Sequence, residues 1–364
     1  MHPPSTGGAA LLSGWAGLRR CGASLHSRPM QKTTRTGPAA ALALLATAAP
    51  ALAADYTVTL FDAPAAGQSI QFFGVNNAGA VAGSLSGPGL SSAFVYSGGT
   101  FTPLSGPAGA LGAAALGIGN SGVVVGSFYD TTTTDPGTGE TVAANTRGFI
   151  LDGGTYTVVE APGAAGFTQL RGVSPDGRWV TGYGTDAASI SQGFVYDRLT
   201  GSFTNLSLPT SRITIPQGVS GSGLVVGSDI VLDGSSLSRP AFTYDLGSST
   251  RTSISLDGYT RFSLRDVDEA GRTVGWLLQA GMPAVGYVGE LANPASFTTF
   301  AAGSGGGTFI EGNNDAGWLV GSYTVGAVTQ AFLATPVPEP TPALMLAAGL
   351  AALGWRSRCR QLRR

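Results

Sequence analysis

Between Ala54 and Thr335 the sequence has no histidine, no cysteine and no lysine. His2, His26, Cys21, Cys359 and the single lysine, Lys32, all stand in the end segments. Without His or Lys, this body has no Ser-His-Asp triad and no Schiff-base lysine. Without Cys it has no thiol nucleophile, disulfide or zinc-thiolate site. A Walker-type phosphate loop needs the same missing lysine. Charge is scarce too, at 11% of residues against about a quarter in ordinary globular chains. Residues 54–335 carry 10 Arg and 20 Asp/Glu, a net of −10. Such a body repels phosphate backbones, so nucleic acid is excluded as a partner.

What is abundant is glycine, 56 of 364 residues, beside 43% hydrophobic residues, enough for a core. Glycine supplies positive φ and β-branched residues suit a pleated surface, so the composition predicts short strands joined by tight turns.

One frame recurs six times. It reads Gly74-Val-Asn-Asn-Ala-Gly-Ala-Val-Ala-Gly83, then Gly117 to Gly126, Gly172 to Gly182, Gly218 to Gly227, Asp266 to Gly275 and Gly312 to Gly321. The starts are 43, 55, 46, 48 and 46 residues apart. Each frame is followed by an aromatic strand such as Ala93-Phe-Val-Tyr96 or Ala331-Phe-Leu333, and most by a further strand such as Gly99 to Leu104. In Asn76-Asn77-Ala78-Gly79 the reading is a strand-turn-strand, Asn tolerating αL and Gly supplying positive φ. About four short strands per 40–50 residues is the length of a propeller blade. The last repeat lacks a fourth strand, while Tyr56-Thr-Val-Thr-Leu-Phe61 precedes the first repeat as an unaccompanied one. The expected fold is therefore all-β: a six-bladed β-propeller over residues 54–335 closed by the N-terminal strand, which removes an open edge.

The repeats resemble the extracellular HAF-repeat proteins, in which a G-x-N-x-x-G-x-V-x-G stretch precedes His-Ala-Phe. Here the Ala-Phe pair stands at 93–94, 241–242 and 331–332, but the His position holds Ser92, Arg147, Gln192, Pro240 and Gln330. Any role of that histidine is absent.

The ends read as addresses. Met30 to Arg35 is a basic n-region, Gly37 to Pro50 an apolar h-region, and Ala51-Leu52-Ala53 a small-x-small site, giving a signal peptide over 30–53 cleaved after Ala53. Residues 1–29 read as an upstream extension from a misplaced start codon. At the other end, Val337-Pro338-Glu339-Pro340 is followed by the apolar run Ala343 to Trp355 and by Arg356, Arg358, Arg360, Arg363 and Arg364. Residues 336–364 thus resemble the PEP-CTERM sorting signal. That resemblance implies an exosortase-type enzyme as partner, transient insertion of a transmembrane helix in the inner membrane, and delivery to the cell surface or to the exopolysaccharide matrix of a biofilm. The basic cluster after an apolar segment fits retention of the arginines on the cytoplasmic side. The run spans only about 20 Å at 1.5 Å per residue, so flanking residues and snorkelling Arg356 must extend it.

Carboxylate chemistry remains open. Glu160, Glu290 and Glu311 lie near strand ends, and Asp266, Asp268 and Glu269 form a compact cluster. A glycosidase needs two acids converging in one pocket. Calcium needs only oxygen ligands, and Asp266, Asp268 and Glu269 or the loop Asp130 to Asp135 supply them. Asx turns and solvated acids are the plainer use of both. Trp179, Trp276 and Trp318 are read as equivalent positions after the turn, as an aromatic platform for sugars or as blade core. The expectation is a non-enzymatic binding or structural protein without a cofactor. The alternatives are a carboxylate-based glycan-active enzyme and a calcium-stabilised adhesion module.

Overall fold

The computed structural model describes residues 55–337, apart from 66, 88–90, 234–235 and 257. Among the described residues every regular element is a β-strand, and no helix is long and apolar enough to cross a membrane. The expected signal peptide, and the expected sorting tail beyond Val337, lie outside the described residues.

The strands form six antiparallel groups of four. β1 (Tyr56–Phe61) belongs to the last of them. The first comprises β2 (Ser69–Val75), β3 (Val81–Ser86), β4 (Ser91–Ser97) and β5 (Thr100–Leu104). The second comprises β6 (Gly112–Ile118), β7 (Val124–Tyr129), β10 (Thr146–Asp152) and β11 (Thr155–Val159), with the hairpin β8 (Thr132–Thr134) and β9 (Thr141–Ala143) inserted. The third is β12 (Phe167–Val173), β13 (Trp179–Thr185), β14 (Ser191–Asp197) and β15 (Ser202–Asn205). The fourth is β16 (Ser211–Val219), β17 (Leu224–Asp233), β19 (Ala241–Asp245) and β20 (Thr250–Ile254), with β18 (Ser236–Ser238) returning on β17. The fifth is β21 (Arg261–Val267), β22 (Arg272–Leu278), β23 (Val285–Glu290) and β24 (Asn293–Phe300). The sixth is β25 (Gly307–Asn313), β26 (Leu319–Val325) and β27 (Val328–Pro336), completed by β1, whose Tyr56 to Phe61 pair with Pro336 to Ala331.

Hydrogen bonding does not run unbroken through these groups. Single parallel bridges, Thr146 to Phe167 and Ser191 to Ile213, join the second, third and fourth, and the others are separate sheets. Side-chain packing is what joins neighbours. Six apolar clusters lie one at each boundary between successive groups, including one that sets Ile70, Phe72 and Val81 of the first against Val320 and Ala331 of the sixth. Burial against two neighbours at once explains strands such as β7, buried at all six positions, since a strand covered on both faces has no polar side.

The three glycines of the frame do three different jobs. The middle one, for example Gly271 at φ +78°, is the positive-φ residue of the turn. Asn76 and Asn77, read from sequence as αL candidates, have negative φ. Asn76 instead accepts the amides of Ala78 and Ala80 through its Oδ1 at 3.1 and 2.9 Å. The last glycine seats the aromatic ring of the next strand. A methyl on Gly227 would lie 2.7 Å from Phe242 Cζ and 2.5 Å from the Ile215 carbonyl oxygen. The rings so seated, Phe94, Phe149, Phe194, Phe242, Tyr287 and Phe332, are all buried, each worth roughly 1.5–3 kcal/mol in transfer free energy.

Candidate functional site

The first position of each frame lines a common centre. A methyl on Gly74 would meet Gly117 Cα at 3.2 Å, one on Gly117 the Gly172 Cα at 3.1 Å, and one on Gly172 the Gly218 Cα at 3.1 Å. One on Gly218 would meet Asp266 Cα at 2.8 Å, and one on Gly312 the Gly74 Cα at 3.0 Å. The first strands of all six groups therefore converge on this ring; four of the six positions have no space for a side chain, and Gly74 is tight. Asp266 is the exception.

Each of these strands carries a β-bulge immediately before the ring position, between Phe72 and Gly74, Ala115 and Gly117, Leu170 and Gly172, Pro216 and Gly218, Leu264 and Asp266, and Ile310 and Gly312. A bulge leaves one residue unpaired and re-aims its side chain. The six bulged residues are Phe73, Leu116, Arg171, Gln217, Arg265 and Glu311, and all six line one channel together with Gly74, Gly117, Gly172 and Asp266 of the ring. Within it Glu311 lies 3.2 Å from Arg265 and 3.9 Å from Arg171, and Arg171 Nε donates to Gln217 Oε1 at 2.8 Å. Burial, followed by the Arg265 charge, pushes the Arg171 guanidinium below its ordinary pKa. Burial pushes the Asp266 carboxyl up to about 7, against hydrogen bonds from the Asn313 and Val267 amides that favour the ionised form. Asp266 keeps part of its surface because it faces the channel, yet protein surrounds it on every side. The channel's open volume is about 40 Å³, room for a few waters and not for a sugar ring.

Where the first strands run into their turns, the channel mouth is lined by Asn76, Asn77, Asn120, Asp268, Asn314 and Asp315. These groups are occupied with each other. Asn77 donates to Asp315 at 2.6 Å, Asn314 to the Asn76 carbonyl at 2.9 Å, and Asn76 to the Gly119 carbonyl at 3.1 Å. The mouth is a girdle that ties one turn to the next.

At the opposite end, where the same strands begin, a second recess of about 170 Å³ lies across the third, fourth and fifth groups. It is lined by Arg171, Arg239, Arg261 and Arg265, with Tyr183 and Ser228. Arg261 and Arg265 also lie over the Trp276 ring, at 4.8 and 5.5 Å. Burial, then the charges of Arg239 and Arg265, pushes Arg261 below its ordinary pKa. The acidic composition of the body concealed this basic recess. Its arginines are spread from 171 to 265, and only Arg261 and Arg265, an even spacing on one strand, carry a sequence signal.

The acids named from sequence do not act together. Asp268 accepts the amides of Ala270 and Arg272 and pairs with Arg272 Nε at 2.8 Å. Glu269 accepts from the Gly221 amide, and Asp266 faces the channel. Among the described residues no group of three or more His, Cys, Asp or Glu is spaced to hold a metal. Asp130 pairs with Arg147 and accepts from Asn145, while Asp135 caps the turn at Gly137 and Thr138. Glu160 is an exposed partner of Arg147, Glu290 is exposed on β23, and Glu311 alone of these three enters the channel. The tryptophans are not equivalent. Trp179 and Trp318 stand three residues before Gly182 and Gly321, whereas Trp276 directly follows Gly275. Trp276 is 5% exposed and meets Phe309 edge-on at 5.3 Å, so the three form no platform. Val337 is the one residue of the sorting motif that is described; its amide donates to the Asp55 carbonyl at 2.7 Å.

No protein-family model matches the chain, and no curated protein matches it. Solved structures similar to it include a putative TolB from Agrobacterium tumefaciens (13% identity, 66% of this chain and 88% of that one, TM-score 0.45). A catalytically inactive virginiamycin B lyase from Staphylococcus aureus, solved with quinupristin, shares 12% identity over 78% of this chain and all of that one, TM-score 0.43. The β-propeller domain of the Trilobed protease from Pyrococcus furiosus, described as having an open velcro topology, shares 9% identity over 75% and 86%, TM-score 0.44. At these scores no residue role, ligand or reaction passes to this chain, whose fold rests on its own strand pairing.

Proposed function

We propose that the chain is an exported, non-enzymatic binding or structural protein, built as a six-bladed β-propeller closed by its N-terminal strand. It is sorted to the cell surface or extracellular matrix by an exosortase-type enzyme. The six boundary clusters and the β1–β27 pairing support the closed arrangement. The motif Val337 to Pro340 with its apolar run and arginines supports the sorting route.

The observation that carries the non-enzymatic reading is the filling of the centre. Six bulges aim side chains into the channel, and these are two apolar groups and an Arg-Gln-Arg-Glu set in contact with one another, with room only for water. Asp266 and Glu311 are the two acids that share it. A glycosidase pair needs a sugar between its carboxyls, and this space does not admit one. The body also has no His, Cys or Lys to act instead. To test the route, the full chain with an epitope in the β8–β9 hairpin is expressed in an exosortase-positive host. The body is expected outside the cell with a mass lacking the C-terminal tail. Full-length chain retained in the cytoplasm overturns the reading.

A further inference from the structure

We infer that the recess between the third, fourth and fifth strand groups is an anion-binding site for a carboxylate-bearing sugar of about one residue, with Arg239, Arg261 and Arg265 as its ligands. Four guanidiniums converge there in a body whose net charge is −10. The internal counter-charge is small. Glu311 is shared by Arg171 and Arg265 from below. Asp229, also on the wall, is already held by Arg251 at 2.6 Å and by the Thr214 hydroxyl at 2.8 Å. Arg239 and Arg261 have no carboxylate within ion-pair distance among the described residues. Like charges held together unpaired are a cost to folding that a bound anion relieves.

Two buried polar atoms make the wall of the recess polar. Ser228 Oγ and Arg265 Nε both belong to lining residues and have no hydrogen-bond partner in the protein. Both are closed off from the recess surface, so the ligand's contacts fall to the terminal nitrogens of the arginines. Guanidinium forks match the planar, bidentate geometry of a carboxylate, while the Tyr183 hydroxyl on the same wall suits a sugar's own hydroxyls. The volume of about 170 Å³ sets the size, below the roughly 300 Å³ at which drug-sized pockets begin. The site opens to solvent at Arg239, which is exposed. A residue of an acidic polysaccharide and a free sugar acid offer the same carboxylate.

The inference rests on the reading of this body as a binder, and calorimetry on the full chain separates the two. Glucuronate, a glucuronate oligomer and glucose are titrated at low salt, with a parallel assay for new reducing ends. Glucuronate is expected to bind and glucose not. Arg239→Gln and Arg261→Gln are each expected to weaken binding by at least about tenfold, and exposed Arg212→Gln to leave it unchanged. Oligomer binding tighter than monomer assigns the polymer as the source, and equal binding the free acid; both uphold the site. Binding that survives both substitutions, binding of glucose as tight as of glucuronate, or no binding at all overturns it. Binding with new reducing ends keeps the site and overturns the non-enzymatic reading instead. Unchanged melting of Arg239→Gln shows that its effect is not one of folding.

Discussion

Asp266 stands where five other repeats have glycine, and its replacement tests the account of the channel. Its carboxyl rises from 3.8 to about 7 chiefly because ionisation there is poorly solvated. Below pH 3.8 the group is protonated both folded and unfolded. Between 3.8 and about 7 the unfolded chain releases its proton first, so it binds fewer protons than the native state and stability falls as pH rises. Above about 7 both forms are ionised and the loss is complete. The full difference is on the order of 4 kcal/mol, an upper bound because part of the side chain meets water in the channel. Asp266→Asn removes the titration and keeps the shape, sacrificing one amide hydrogen bond worth about 1 kcal/mol. Urea unfolding of both proteins at pH 4 and pH 8 reads the effect as a difference, in which other carboxylates cancel. The variant is expected to be slightly less stable than the parent at pH 4 and more stable at pH 8, by up to about 3 kcal/mol. A difference that stays constant within about 0.5 kcal/mol across that range refutes the claim that the channel desolvates this carboxyl.

The frame glycines predict unequal costs. Gly227→Ala drives a methyl into Phe242 and the Ile215 carbonyl and is expected to cost about 3 kcal/mol, whereas Gly271→Ala, at positive φ with open space around it, costs about 1 kcal/mol; denaturant midpoints distinguish them. Arg251→Ala leaves the fully buried Asp229 with only Thr214 as a side-chain partner and is expected to destabilise by about 3–5 kcal/mol, part of which Asp229→Asn in the same chain restores.

The repeat made much of the fold legible. Gly79 and its counterparts announce turns because only glycine takes that φ cheaply, and the alternating apolar residues after them announce strands. The lone Tyr56–Phe61 segment foretold a strand whose partners lay at the far end of the chain, and it pairs with β27. The seat for the aromatic ring was missed in the last frame glycine, because a contact between strands has no trace within either strand. The bulges were missed for the same reason. A bulge is one residue in one strand with no partner in another, and nothing in Arg171 or Glu311 marks them as unpaired. Reading the residue before each frame would have collected Arg171, Gln217, Arg265 and Glu311, since the repeat puts equivalent positions on one circle.

By itself, the sequence determined the strand-rich class, the period of the repeat, the absence of His, Cys and Lys chemistry and the net negative charge of the body. These depend on composition and local backbone preference. Only the tertiary structure decided where that charge goes. Packing of the strand groups brings together arginines almost a hundred residues apart, sets Asp266 in a ring of glycines and turns Asp268 and Glu269 to partners of their own, Arg272 and the Gly221 amide. Electrostatics depends on distance in space, and adjacency along the chain, which made those three acids look like one site, is not that distance.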